Sequence, residues 1–563
     1  MRPPRRGTGP RAAAPAGLDL PADGPPPSGT TPGSRSLEPR AGGADAARPV
    51  PTWEAAALAA ILLVAFFLRI YGLRWALPGR TDLNPDEQVV LQIIARMSWT
   101  HLDPGAYFYG GFFYEACLLV RSVLRALDPG IRDASLVLAY RGVSVMFGTA
   151  TVAVLYGLLC RVAPPGPAPL LGAAFLALMP LHVWDSHFAV TDITLTFWMI
   201  AAVAAAVRAY QRPTAGRFAA ASALVGAATG TKFNGAFAAV AIALAALAAL
   251  GERRARVRQV AGWAILGGLA AVATLFVASP HVFLQGPATW RAFEHEMDRV
   301  RILDYGFNLW APGWQYKPYV YQFGAAFPFS FGVLLYAALL VGLIHCAIRW
   351  RSHRVLLVPF GYAAVYLGVM GSWDFVPIRY YLPFEPALLM APALALAAGL
   401  TASRARVRWW TAGALALVLA YTGAFTISTT ARFRHDTRLQ AQAWLQQRVA
   451  EGADVLTVGV EWYLPAPRGP RVLNVVAYGA MPAVVEHRRP TYVVLTSLLY
   501  NRSYRQQDEN VAMWDTVRKG VLPYRLAERF QARYLNWRFY SRLDPMYEGY
   551  FVSPTIEIYR RVD

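Results

Sequence analysis

Asn84-Pro85-Asp86-Glu87 sets two adjacent carboxylates just beyond the first long apolar stretch of the chain. An ionisable group beside a membrane span is costly to keep there, so each is a candidate for function. Asn84 has the type of a helix N-cap, and Pro85 suits the first helical position. Glu87 completes a pattern like a capping box. The structural and chemical readings agree, because a carboxylate fixed at a helix start is aimed. An aimed carboxylate can take a proton from a hydroxyl. Asp86 and Glu87 are both candidates for that work, and Glu87 also suits holding the helix start.

A second group is Asp185, His187 and Asp192. Seven residues separate the two carboxylates, which puts them on roughly one helix face. With His187 they form a possible divalent-metal set, although no tight metal motif is present. Helix capping is the plain alternative. Asp192 is the stronger candidate because it begins a strongly apolar span. Lys232 lies in Gly230-Thr231-Lys232-Phe233-Asn234-Gly235, between two apolar segments, and Arg379 heads Arg379-Tyr380-Tyr381-Leu382-Pro383. Both suit a phosphate, arginine through bidentate contacts. Snorkelling or interfacial anchoring is the plain alternative. His281 and Tyr380 complete the candidates. Asn234, Asp374 and Glu385 are further polar residues beside spans.

These residues need elements to hold them, and composition names the kind. The chain has 563 residues, 56% hydrophobic and 16% charged. Its repeated apolar stretches reach membrane-spanning length. Hydropathy gives about eleven helices: roughly 54–76, 136–160, 168–184, 190–208, 217–232, 234–250, 258–278, 326–348, 354–371, 380–400 and 409–428. The net charge of +20 comes mostly from short basic clusters between these segments. That pattern reads as membrane topology and argues against nucleic acid as a partner. Arginines gather at 161, 208–217, 253–258, 349–354 and 404–408. The positive-inside rule makes those connections cytoplasmic. Residues 1–50, rich in Pro, Gly, Ala and Arg, then form a disordered cytoplasmic tail without a signal-peptide core.

Asp86, Glu87, Asp185, His187, Asp192, Lys232 and Arg379 all fall on the opposite side. Two long connections lie there too, about 77–135 and 279–325. They contain an amphipathic stretch at 112–127 and an aromatic run at 310–321, which suit the membrane interface. Residues 429–563 read as a small extracytoplasmic α/β domain, with strand-like runs at 454–460, 471–476, 491–496 and 555–559. No Gly-rich phosphate loop precedes a helix there, which argues against a nucleotide site. The three cysteines form no paired motif and read as packing residues. The fold class is therefore an α-helical polytopic membrane protein (residues 51–428) with a C-terminal α/β domain.

In series, several of these segments resemble a known family. Asn84-Pro85-Asp86-Glu87 is similar to the Asp-Glu signature of GT-C glycosyltransferases, family 39-like, of the protein O-mannosyltransferase and aminoarabinose-transferase type. The 188–197 segment around Asp192 resembles the family's second Asp motif. Thr229-Gly230-Thr231-Lys232 resembles its TK turn, and Arg379-Tyr380-Tyr381-Leu382-Pro383 its late RYLLP segment. Asp436-Thr437-Arg438, followed by Ala441, Trp444 and Leu445, resembles the start of an outer domain in bacterial members. The resemblance implies a polyprenyl-phosphate sugar donor and a protein, lipid or glycan acceptor. Its catalytic face would be extracytoplasmic, in a multi-pass inner-membrane enzyme. It also implies inversion at the anomeric carbon, Asp86 as base, and Lys232, Arg379 or a metal at Asp192 meeting the leaving phosphate. Two other classes compete. A transporter or flippase of lipid-linked sugars should show internal repeats and polar residues near the midplane. A non-catalytic scaffold leaves the gathering of Asp86, Asp192, Lys232 and Arg379 unexplained.

Overall fold

Every one of the eleven apolar segments is helical. In order the chain forms α1 (Thr52–Ile70), α2 (Pro85–Arg96), α3 (Phe112–Leu127), α4 (Asp133–Val162), α5 (Ala168–Leu178) and α6 (Pro180–Asp185). There follow α7 (Thr191–Gln211), α8 (Ala215–Thr229), α9 (Ala239–Gly251), α10 (Val257–Ala278), α11 (His281–Leu284) and α12 (Gly286–Arg301). Then come α13 (Phe327–Phe331), α14 (Val333–Ile348), α15 (Leu357–Met370), α16 (Glu385–Leu388), α17 (Met390–Leu400) and α18 (Ala405–Thr430). The computed structural model describes residues 51–301, 313, 316–373, 377–475, 480–548 and 552–562. The expected tail at 1–50, Asp374 and most of 302–315 lie outside them.

Among the described residues, six helices are long and apolar enough to cross a membrane, or seven if one bent pair counts as a single span. The chain is a multi-pass membrane protein. The expected eleven spans are not reached by this measure because local chemistry shortens or breaks the other segments. Pro180 ends α5, and a turn at Gly230-Thr231 ends α8. Short 3-10 turns precede α15 and α16. The α13–α14 pair bends by 116°. Gly332 sits at that bend with φ +75°, in the left-handed region where glycine is favoured. A π-helical turn, Gln322–Ala326, leads into it.

Broken helices leave carbonyls that lipid cannot satisfy, so neighbouring helices must. Pro180 has no N–H to give to Leu176 O. Arg69 of α1, fully buried, donates there instead (3.3 Å), and to Ala177 O (3.4 Å) and His182 Nδ1 (2.8 Å). Thr426 of α18 donates to Leu178 O (2.6 Å). A buried arginine without a carboxylate is thus explained by the negative end of a helix.

After α18 comes α19 (Thr437–Arg448), capped by Asp436, whose side chain accepts from Arg438 N (2.9 Å). A five-stranded sheet then forms from β1 (Asp454–Val458), β2 (Arg471–Val475), β3 (Tyr492–Thr496), β4 (Tyr524–Phe530) and β5 (Ile556–Arg561), in the order β2-β1-β3-β5-β4. β1 pairs in parallel with β2 and β3, and β5 pairs antiparallel with β3 and β4. The inner strands β1 and β3 are apolar and buried on both faces, as helices on each side of a sheet require. β4 breaks the expected pattern of four strands. It lies at an edge, exposes Arg525 and Arg529, and carries a bulge between Leu526 and Glu528. Charge and a bulge protect an edge strand, and they also hide it from hydropathy.

Residues 49–563 cluster as one compact unit. The largest core joins α1, α4, α5, α7 and α17 and continues into Tyr534, Tyr540 and Tyr547 beyond β4. Phe329 of α13 stacks on Tyr547 with ring centroids 4.3 Å apart. Among the described residues the cysteines form no disulfide; Cys117 and Cys346 are buried and Cys160 is exposed.

Candidate functional site

The Asn84 side chain caps α2, accepting from Asp86 N (3.0 Å) and Glu87 N (3.1 Å). The capping half of the sequence reading is present, but Glu87 does not reach back to close a box. Its carboxylate turns inward, fully buried. Arg141 of α4 takes it bidentately (Nε–Oε1 2.8 Å, Nη2–Oε2 2.7 Å), and Ala189 N donates to Oε1 (2.8 Å). Arg141 also donates to Leu73 O and Trp75 O, each at 2.9 Å. Glu87 thereby ties the 71–84 connection to α4 and to the start of α7. The partners of its carboxylate, Arg141 and Ala189, differ from Arg379, which pairs with the Asp86 carboxylate.

Asp86 points the other way. Arg379 Nη2 pairs with Asp86 Oδ2 at 2.8 Å, and Arg379 Nε lies 3.7 Å from Asp192 Oδ2. Lys232 Nζ holds Asp192 Oδ1 at 2.9 Å. Two cations and two carboxylates from four separate segments form one chain of ion pairs. The Asp86 side chain is 37% exposed, while Asp192 is 6% exposed and Lys232 8%. Two tyrosine rings pack on the Lys232 ammonium, Tyr380 at 4.3 Å and Tyr109 at 4.8 Å, as cation–π partners. Buried Asp185 lies within electrostatic reach of Asp192, Arg379, Lys232 and Asp86, and its Oδ2 has no hydrogen-bond partner among the described residues. Asn234 donates to Tyr366 OH (2.7 Å) behind the lysine.

Close backbone packing sets this geometry. A Cβ on Gly110 would fall 2.0 Å from Gly230 O, so only glycine lets the segment carrying Tyr109 approach the Lys232 turn. Phe112 N donates to Gly230 O (2.9 Å). Ser279 Oγ donates to the same carbonyl (2.7 Å) and accepts from Gly111 N (2.6 Å).

Two candidates stand apart from the cluster. The nitrogens of His187 both lie against backbone carbonyls, Val183 O (2.9 Å) and Tyr71 O (3.0 Å), and its ring stacks on Phe433. His187 is therefore a packing and tethering residue and is not aimed at Asp192. The donor set does not fit a metal held by Asp185, His187 and Asp192, since the imidazole faces carbonyls and Asp192 faces Lys232 and Arg379. Among the described residues no other group of three His, Cys, Asp or Glu is placed to hold one. His281 is buried beside Tyr107, with ring centroids 6.0 Å apart. His281 Cε1 and Glu115 Oε1 both lie close to Gly111. Burial pushes the Glu115 carboxyl up to about 7 and the His281 imidazole below its ordinary value.

Sequence reasoning missed Tyr109, Arg141 and Trp75. Arg141 carried a usable signal, being an arginine inside an apolar span, which the rule for intramembrane charges flags. Tyr109 and Trp75 had none beyond being aromatic.

Residues 133–282 match the profile of the family described as Dolichyl-phosphate-mannose-protein mannosyltransferase. That segment carries Arg141, Asp185, Asp192, Lys232 and His281. No curated protein matches the chain by sequence. Among solved structures, the oligosaccharyltransferase AglB of the archaeon Archaeoglobus fulgidus, in complex with an inhibitory peptide and a dolichol-phosphate, is similar at TM-score 0.52 and 13% identity. The alignment covers 91% of this chain and 89% of that one. ArnT from Cupriavidus metallidurans in the apo state gives a TM-score of 0.46 at 15% identity, covering 90% and 97%. The Saccharomyces cerevisiae protein O-mannosyltransferase Pmt1-Pmt2 complex gives 0.33 at 17%, covering 48% and 37%. The chain has the GT-C glycosyltransferase fold.

Proposed function

We propose that this chain is an integral membrane glycosyltransferase that moves a sugar from a polyprenyl-phosphate donor to an acceptor hydroxyl, inverting the anomeric carbon. The observation that carries the reading is the ion-pair chain Asp86–Arg379–Asp192–Lys232, which joins a part-exposed carboxylate to two cations at the ends of apolar helices. The fold and the matched segment support the same class.

In this mechanism Asp86 takes the proton of the acceptor hydroxyl as its oxygen attacks the anomeric carbon. The bond from that carbon to the phosphate oxygen breaks, and its electron pair leaves with polyprenyl phosphate. Arg379 and Lys232 meet the charge that develops on the leaving phosphate. Arg379 pairs with Asp86 in the structure, so a phosphate that draws the guanidinium towards itself also releases the base. Donor binding and base activation are thereby linked. Asp192 holds the cations in place, and the Tyr109 and Tyr380 rings orient the ammonium.

In this reading the cluster belongs to the extracytoplasmic side of the inner membrane, with the N-terminus cytoplasmic. In support, the arginine-rich connections alternate along the chain with those that carry the cluster. The sheet domain lies on the cluster's side. The chemistry requires of the acceptor only a hydroxyl, and those of proteins, lipids and glycans all meet that need. The test is transfer of label from a radiolabelled polyprenyl-phosphate sugar to a panel of such acceptors by the purified, membrane-reconstituted chain. Transfer with release of polyprenyl phosphate is expected. Failure to bind the donor at all sinks the reading.

A further inference from the structure

The sheet domain grips both ends of the ion-pair chain. At the base end, Asp436 and Arg438 are fully buried at the start of α19 and pair bidentately (Nε–Oδ1 2.9 Å, Nη2–Oδ2 2.7 Å). Asp436 Oδ2 also accepts from Trp75 Nε1 (3.0 Å) and Ser553 N (3.1 Å). Arg438 Nη1 donates to Trp462 O (2.7 Å) and to Leu83 O (3.1 Å). Leu83 immediately precedes Asn84, whose side chain caps the helix that carries Asp86. The guanidinium groups of Arg438 and Arg141 both pack on the Trp75 ring, at 5.6 and 5.5 Å. Arg80 adds a second tether, donating to Leu464 O (2.7 Å) and Glu461 O (3.1 Å).

At the cation end, Tyr321 OH donates to Asp544 Oδ2 (2.8 Å), and Arg505 lies 3.5 Å from the same carboxylate. The next residue, Gln322, donates to Tyr381 OH (2.8 Å), two positions from Arg379. The π-helical turn at Gln322–Ala326 is the element so held.

We propose that Arg438 and Asp436 are positioning residues for the transfer reaction, and that the sheet domain, through them and through Asp544–Tyr321, sets the register of Asp86 against Arg379. The proposal rests on the glycosyltransferase reading above. It gives the domain a part in the reaction without requiring it to touch substrate. Displacement of a catalytic group by about 1 Å can cost on the order of a hundredfold in rate, so a tether of this kind has a kinetic signature.

The experiment uses the full chain in a reconstituted membrane, with Arg438→Gln, Arg438→Lys and Tyr321→Phe beside wild type. Two readouts are taken: transfer kinetics per folded molecule, and hydrogen exchange of the amides at 83–90. Arg438→Gln is expected to speed exchange there and to lower kcat by about a hundredfold. Its donor KM should stay within about threefold, because Lys232 is untouched. Arg438→Lys should recover part of kcat. Tyr321→Phe should lower kcat less and leave exchange at 83–90 unchanged. Should Arg438→Gln fail to fold, Trp75→Phe, which deletes one N–H to Asp436, takes its place with the same expectations at smaller size. Faster exchange with wild-type kcat overturns the positioning role, and unchanged exchange overturns the tether. A wild-type chain that transfers nothing overturns the glycosyltransferase reading instead, and exchange at 83–90 then decides the tether alone.

Discussion

Asp86 and Glu87 are neighbours in sequence and opposites in structure. Each meets an arginine through a carboxylate at hydrogen-bond distance. Glu87 is fully buried, and its carboxylate is filled by Arg141 and a backbone N–H. Asp86 keeps a third of its side chain open and shares its arginine with Asp192. The Glu87 region is saturated and braced on Trp75 and Leu73, whereas the Asp86 region links charges that a substrate can rearrange. The comparison shows that burial and full satisfaction mark the scaffold. Chemistry is marked by partial exposure with shared partners.

The contrast predicts where each substitution should act. Asp86→Asn should lower transfer by about a hundredfold to ten-thousandfold, the range of a general base. Its melting temperature should stay close to wild type, which thermal unfolding of the same preparation checks. Arg141→Ala should behave in reverse. It strands the Glu87 carboxylate in the interior and should cost about 3–5 kcal/mol of stability. Replacing Arg141 and Glu87 together by an uncharged pair should recover much of that loss, because no orphan charge remains. Equal loss in the single and double variants would break the distinction drawn between the two regions.

Smaller effects should sharpen it. Lys232→Met and Arg379→Lys remove or reshape charge-assisted contacts worth about 1.5–3 kcal/mol each, so donor affinity should fall roughly tenfold to a hundredfold. Binding of the labelled donor measures this directly. The smallest effect is expected at Glu115. Burial raises its folded value from 4.5 to about 7. Between those pH values the folded state binds more protons than the unfolded one, so stability should fall as pH rises through the window. Glu115→Gln should flatten that slope, as melting temperatures from pH 4.5 to 7 would reveal.

Much of this was legible in the residues. Asp86, Asp192, Lys232 and Arg379 each stand out as charges beside apolar spans, and the structure joins them. The helices themselves followed from hydropathy, and β1, β2, β3 and β5 from apolar runs. The missed features were relational. Nothing in the sequence says that Glu87 turns inward to Arg141, that both nitrogens of His187 meet carbonyls, or that Gly110 lies against Gly230. These follow from packing between segments far apart in the chain. β4 was hidden because an edge strand keeps polar residues outward. Among the described residues six helices, or seven with the bent pair, meet the length criterion for a span, because Pro180, Gly230 and Gly332 interrupt apolar runs that composition alone reads as continuous.

The most direct test separates donor binding from transfer in one variant. With a radiolabelled polyprenyl-phosphate sugar, reconstituted Asp86→Asn should bind the donor at least as tightly as wild type, since the proposed mechanism has the phosphate take Arg379 away from Asp86. It should pass almost none of the label to an acceptor hydroxyl. Transfer by Asp86→Asn at the wild-type rate would contradict the account.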